Sequence, residues 1–164
     1  MAVADLIGAT VGVILLVIVA YMLVGSVIST AEIVINAQKS VTLQEESQLR
    51  TDFTIGEVSV EPDSQISFTD INCSITNTGK ETISDFTHTD IIVYDNSSNN
   101  YQLYTYNKSG NPGTWQITYM PPDGIHYSEL DPGETYQILV RTSGISPHWF
   151  QITTGNGVYA SEFL

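Results

Sequence analysis

The sequence predicts an α+β protein, a long N-terminal hydrophobic α-helix followed by an antiparallel, immunoglobulin-like β-sandwich. Three observations carry that prediction. Leu6–Ile28 runs 23 residues without a charge, and Ser29–Arg50 continues with neither Gly nor Pro. From Thr51 onward the composition shifts to Ser, Thr, Asn, Tyr and Ile, punctuated by turn residues at short intervals. A chain of 164 residues holds one ordinary domain and an appendage. We therefore divide it into a helix, 1–50, and a sandwich domain, 51–164.

The apolar stretch spans about 34 Å as a helix, enough for a bilayer core of about 30 Å. A cleaved secretory signal would need a basic leader region and a shorter apolar run. No Lys or Arg precedes Lys39, which also removes the usual orientation cue of a membrane anchor. Within the span, Ala4, Gly8 and Gly12 recur every four residues, and Gly25 and Ser29 repeat that spacing. Small residues in such a stripe let helices approach closely where no hydrophobic gradient drives them together.

Beyond the span, Val27, Ala31, Val34, Val41 and Leu49 keep near-helical spacing, interrupted at Gln38 and Glu45. A helix from Val3 to Arg50 would be about 70 Å long, over twice the bilayer core. Alone and half wet, it would be poorly supported. Packed against copies of itself, it makes sense.

Strands are expected at 53–60, 65–76, 88–94, 101–106, 114–120, 135–142, 149–153 and 157–163. Turn signals such as Asn77-Thr-Gly79 and Asp131-Pro-Gly133 separate them. Tyr136, Ile138 and Val140 share one face and Gln137 and Arg141 the other, as in a half-buried strand. Ile71, Cys73 and Ile75 alternate likewise, but Ile66 and Phe68 are on the other phase, which predicts a bulge or bend near Asp70. Cys73 is the only cysteine, so no intrachain disulfide forms, and its place in an apolar run reads as a small core residue.

Charge narrows the function. Residues 52–164 carry 14 acidic and 3 basic side chains, net −11, so nucleic acid is not a partner. His88, His126 and His148 lack metal-ligand spacing, and no catalytic, cofactor or phosphate-loop motif occurs. Asp95–Asn100 offers oxygens but lacks the spacing of a calcium loop, and reads as a hairpin turn. Sequons at Asn72, Asn96 and Asn107 are candidate N-glycosylation sites, the last two in or beside loops. Tyr101, Tyr104, Tyr106, Trp115 and Tyr119 read most simply as core and cross-strand aromatics, with a subunit or ligand surface as the alternative.

The span Leu6–Ile28, the junction Leu49-Arg-Thr-Asp-Phe53, the turn Thr76-Asn-Thr-Gly79, Leu130-Asp-Pro-Gly-Glu134 and the closing Thr153-Thr-Gly-Asn-Gly-Val158 together resemble archaellins and related archaeal type IV pilin-like filament proteins. That resemblance implies a homo-oligomeric helical filament with bundled N-terminal helices and an outer sheath of sandwiches, turned by the archaellum motor for swimming. The subunit would wait in the membrane before assembly and end in an extracellular filament. It also implies removal of a short basic leader. This sequence shows none, which suggests numbering from near the mature end. Bacterial type IV pilins, which share such an N-terminus, carry an acidic residue there, and Asp5 is placed to pair with a neighbour's terminal amine; as a plain structural residue it would cap the helix. Accessory archaellum stator proteins, which combine an anchor with an immunoglobulin-like domain at the surface layer, are the second choice. An adhesive pilus subunit and a membrane-anchored ligand- or glycan-binding sandwich are further alternatives.

Overall fold

The computed structural model describes residues 2–63, 68–122, 126–143 and 146–164. The chain forms two compact units, Met1–Gln44 and Glu45–Leu164. A single helix, α1 (Ala2–Arg50), supplies all of the first unit and the opening residues of the second. It contains no Pro, and although its apolar half is rich in Val and Ile, which lose rotamer freedom in a helix, a helix satisfies every backbone group internally where no water is at hand. Thr10 and Thr30 donate their hydroxyls to the carbonyls of Leu6 and Ser26, at 2.8 and 2.9 Å, so these polar atoms need no water.

Eight strands follow: β1 (Phe53–Asp63), β2 (Phe68–Asn77), β3 (Asp90–Asp95), β4 (Asn100–Tyr106), β5 (Thr114–Tyr119), β6 (Thr135–Thr142), β7 (Pro147–Thr153) and β8 (Tyr159–Phe163). Their order is β1-β2-β6-β5-β4-β3-β7-β8. Only a short parallel pairing, Thr105 with Thr114 and Tyr106 with Trp115, joins β4 to β5. The other pairings are antiparallel. The sheet thus folds into two layers, β1-β2-β6-β5 and β4-β3-β7-β8. Lettered in chain order as A, B, C, C′, D, E, F and G, these are the ABED and C′CFG layers of the immunoglobulin sandwich. The α+β fold class expected from the sequence is the fold observed.

The core lies between the layers. Ile71, Cys73 and Ile75 from β2 and Tyr136, Ile138 and Val140 from β6 meet Ile91, Val93, Phe150 and Ile152 from the opposite sheet, all buried. Phe86, in a short 3-10 turn (Phe86–His88), sits about 6 Å from the rings of Trp115, Tyr106 and Tyr136. The buried Trp115 indole donates to the Thr89 carbonyl at 3.1 Å. Cys73 is 1% exposed, and burial pushes its thiol up to about 12, so it acts as a small hydrophobe.

Two local expectations are corrected. The bulge is not at Asp70, where β2 pairs regularly with β6 as Thr69–Thr142 and Asp70–Arg141. It lies in β1, between Ile55 and Val58. Phe68 belongs to the outer phase of β2 without any irregularity, and Ile66 lies outside the described residues. Asp70 instead makes a two-pronged bond to Arg141, at 3.0 and 2.9 Å, across the outer face. The third strand starts at Asp90 rather than His88, because Asp85 caps a 3-10 turn through the His88 amide.

Candidate functional site

The first candidate is the surface of α1. Every residue from Leu6 to Ile28 is exposed, Leu16 at 71% and Met22 at 70%. A helix apolar all round is completed by lipid or by other protein, not by water. Side chains built at Gly8, Gly12 or Gly25 would meet nothing within 4 Å, so the chain's own fold does not require glycine there. At about 100° per residue, positions 4, 8, 12, 25 and 29 share roughly 140° of the circumference, a broad face rather than a seam. Ser29 is exposed on it. The backbones of Ala4 and Asp5 are helical, and their side chains lie outside the described residues. Apolar exposure continues past the span, with Ile33 69%, Ile35 61%, Val41 54% and Leu43 56% exposed.

The second candidate is a socket at the end of the sandwich, within the unit that begins at Glu45. It gathers the four sequence motifs singled out after the span. The Arg50 carbonyl, left unpaired by the helix end, accepts from the amides of Lys80 (2.7 Å) and Glu81 (3.2 Å). The Asp52 carbonyl accepts from Thr78 and Gly79. A Cβ on Gly79 would lie 2.4 Å from the Asp52 nitrogen, so only glycine allows this approach. Arg50 also faces Glu46 and Glu81, at 3.4 and 3.3 Å.

Asn77, fully buried, is the hub of this socket. Its amide nitrogen donates to the carbonyls of Glu81 and Leu130, both at 2.8 Å, and its Oδ1 accepts from the Gly79 amide. Its backbone binds Gly133 and Glu134. From the other side, Asn156 donates to the Thr51 hydroxyl at 2.7 Å and to the Ser47 hydroxyl at 3.4 Å, while Gln48 donates to the Asn156 carbonyl. A polar cleft of about 360 Å³ lies beside these contacts, lined by Ser47, Thr51, Glu81, Asp85 and Asn156 among others. The Thr87 hydroxyl and then His88 hold the Asp85 carboxyl below its ordinary range, and Thr82 and His126 do the same for Asp131. Sequence reasoning found these motifs but not their convergence, because each is a turn locally and a socket only in three dimensions.

The sequons are dispersed. Asn72 is half-buried in mid-strand, Asn96 is exposed in the β3–β4 turn, and Asn107 follows β4 with its Oδ1 accepting from the Ser109 amide. The turn after Asp95 is a plain hairpin. Its carboxylate accepts from Ser97 and Ser98 amides at 2.7 and 3.0 Å, from the Ser146 amide, and from the Ser97 hydroxyl. Burial acts to raise the Asp95 carboxyl, but these donors together outweigh it and hold it low. The aromatics divide: Trp115 and Tyr104 are core and Tyr106 is partly buried against it, whereas Tyr101 and Tyr119 are 64% and 55% exposed. Among the described residues no cluster of His, Cys, Asp or Glu could hold a metal ion.

The class of molecule is a β-sandwich preceded by a long helix with an exposed, uncharged apolar stretch from Leu6 to Ile28. The archaeal-type flagellin family model matches residues 4–161, and the chain belongs to that family. It is thereby an archaellum-associated protein, of a family of structural rather than enzymatic components that associate with one another. Among solved structures, the archaellum periplasmic stator protein FlaG from Sulfolobus acidocaldarius is 23% identical, with a TM-score of 0.50 over 70% of this chain and 99% of that one. The stator protein complex of FlaF and FlaG from the same organism gives 24% identity and a TM-score of 0.49, over 68% and 87% of the respective chains. At these identities the likeness is one of fold. No curated protein matches the sequence.

Proposed function

We propose that the chain is a filament subunit that polymerises through α1 into an archaeal surface filament, the archaellum, after waiting in the membrane. One observation carries this reading: the exposed apolar side chains run on from Ile28 to Leu43, beyond what a bilayer would cover. Copies of the same helix would cover both stretches, at about 25 cal/mol per Å² removed from water. The small-residue face of Ala4, Gly8, Gly12, Gly25 and Ser29 would let the backbones approach. A stator role, with α1 as a single anchor and the sandwich at the surface layer, is the second reading; the fold of the stator proteins supports it, and it uses only the span.

Gly8→Leu and Gly12→Leu separate the two. Each leaves the sandwich untouched and raises helix propensity, so loss of filaments could not come from a melted helix. The expected result is no sheared filaments by electron microscopy, with the variant chain retained in membranes. Filaments of normal yield from both variants would sink the packing role, and wild-type filaments lacking this chain would favour the stator.

A further inference from the structure

The outer face of the β4-β3-β7-β8 layer carries an aromatic row that assembly through α1 does not use. Strand register aligns Tyr101, Tyr94, Trp149 and Phe163 across the four strands. Their chain neighbours Val93 and Phe150 point into the core, so the row faces away from it. Tyr101 is 64% and Phe163 71% exposed. Tyr94 and Tyr101 pack with ring centroids 4.9 Å apart, while Trp149 stands at 84° to Tyr101 at 6.1 Å. The rings therefore wall a cleft, of about 280 Å³, with His148 at its rim.

The chemistry of this cleft is specific. No carboxylate, Lys or Arg lines it, on a domain that is otherwise strongly acidic. The Tyr94 hydroxyl is committed to Asn99 Oδ1 at 2.7 Å. The Tyr101 hydroxyl and the Trp149 indole N–H have no partner among the described residues. Aromatic walls with free donors and no charge suit a neutral sugar, whose C–H face packs on a ring while its hydroxyls take up the donors. A second copy of this acidic domain would bring like charge to the rim instead.

The chain itself supplies a sugar attachment point beside the cleft. In β3 Tyr94 faces out and Asp95 in, the pairing with β7 shifts register between them, and just past the strand the Asn96 amide donates to the Ser146 carbonyl at 2.9 Å. Asn96, exposed in the turn, is two residues beyond Tyr94, so its backbone lies within about 7 Å of that wall of the cleft. Asn96-Ser-Ser98 is a sequon, held in one shape by the Asp95 carboxylate and by Asn99 in the left-handed region at φ 51°. We propose that the Tyr94–Tyr101–Trp149 cleft seats the first neutral sugar of a glycan carried on Asn96. The seated sugar would hold the β3–β4 hairpin to β7, and does so whether α1 polymerises or anchors.

The test is a two-by-two comparison on the full chain, made in an N-glycosylating archaeal host and purified in detergent. Ser98→Ala removes the sequon while sparing the Ser98 amide that the turn uses, and Tyr101→Ala removes one exposed wall. Glycopeptide mass spectrometry should find Asn96 occupied. The wild type should then unfold on the order of 3 °C above Ser98→Ala, and that increment should fall below about 1 °C in the Tyr101→Ala background. Tyr101→Phe, which keeps the ring, should retain it. A bare Asn96, or an equal increment in both backgrounds, overturns the proposal. So does a bare Asn96 with dimers that Tyr101→Ala dissolves, which would assign the face to a second copy.

Discussion

The two units spend the same kind of residue in opposite ways. In the sandwich, Ile71, Ile91 and Val140 are wholly buried, and the unit completes its own core. In the first unit Leu6, Leu16 and Leu23 are 70%, 71% and 63% exposed, left largely uncovered among the described residues. One unit is therefore finished by its own sequence and the other by its surroundings. The contrast teaches where to look for function. Aliphatic side chains left uncovered over the length of α1 imply an environment that the chain does not carry, whereas the sandwich can be altered only at the cost of its own stability.

The largest effect expected on the sandwich side of that comparison comes from Asn77. Asn77→Ala would remove three bonds but orphan only the Glu81 carbonyl, because Leu130 still accepts from the Ile83 amide and Gly79 still donates to Asp52, for a loss of roughly 1–3 kcal/mol. Asn77→Asp should be at least as harmful, because a carboxylate would face two carbonyl oxygens. Denaturant unfolding followed by the fluorescence of Trp115 and Trp149 measures both. A loss below about 1 kcal/mol in either would show that the socket is held by backbone contacts alone.

How much of this was legible beforehand depends on the range of the interaction. The helix and the inward faces of β2 and β6 were readable because their periods are local, and the Tyr136/Ile138/Val140 alternation maps directly onto burial. The β1 bulge was misplaced because two effects look alike in sequence: Phe68 changes phase, yet it is an outward residue on a regular strand. The hub role of Asn77 was not legible. Its partners are Leu130 and Gly133, over fifty residues away, and Asn-Thr-Gly by itself signals only a turn. Likewise Tyr101 and Tyr104 are identical in composition, and only register sends one outward and the other inward.

A smaller effect concerns acid. The Asp95 carboxyl is held below its usual 3.8 in the folded chain, so its contribution is fully present above that value and is lost as pH falls through the lower folded value. Asp95→Asn nearly keeps the shape, weakens the three bonds to Oδ1 and loses the fourth, because its NH2 cannot accept from the Ser146 amide, with an expected cost of about 1–2 kcal/mol at neutral pH. The difference between wild type and variant should be constant above about pH 4 and shrink below it. A difference that persists unchanged into strong acid would mean that shape, not charge, is what the turn uses.

The smallest effect is the one that sharpens the comparison most. Leu16→Ser removes a large apolar side chain, a change that would cost several kcal/mol at a buried site such as Ile138. At Leu16 little packing is lost, since the side chain is 71% exposed on a single helix. The sandwich should therefore unfold within about 0.5 kcal/mol of wild type. The same substitution puts a hydroxyl where the surroundings of α1 must be apolar, although an i−4 carbonyl can accept it as Leu6 accepts Thr10. Its consequence should appear in sheared-filament yield or membrane retention and not in the melting of the domain. A destabilised sandwich would show that its stability depends on α1.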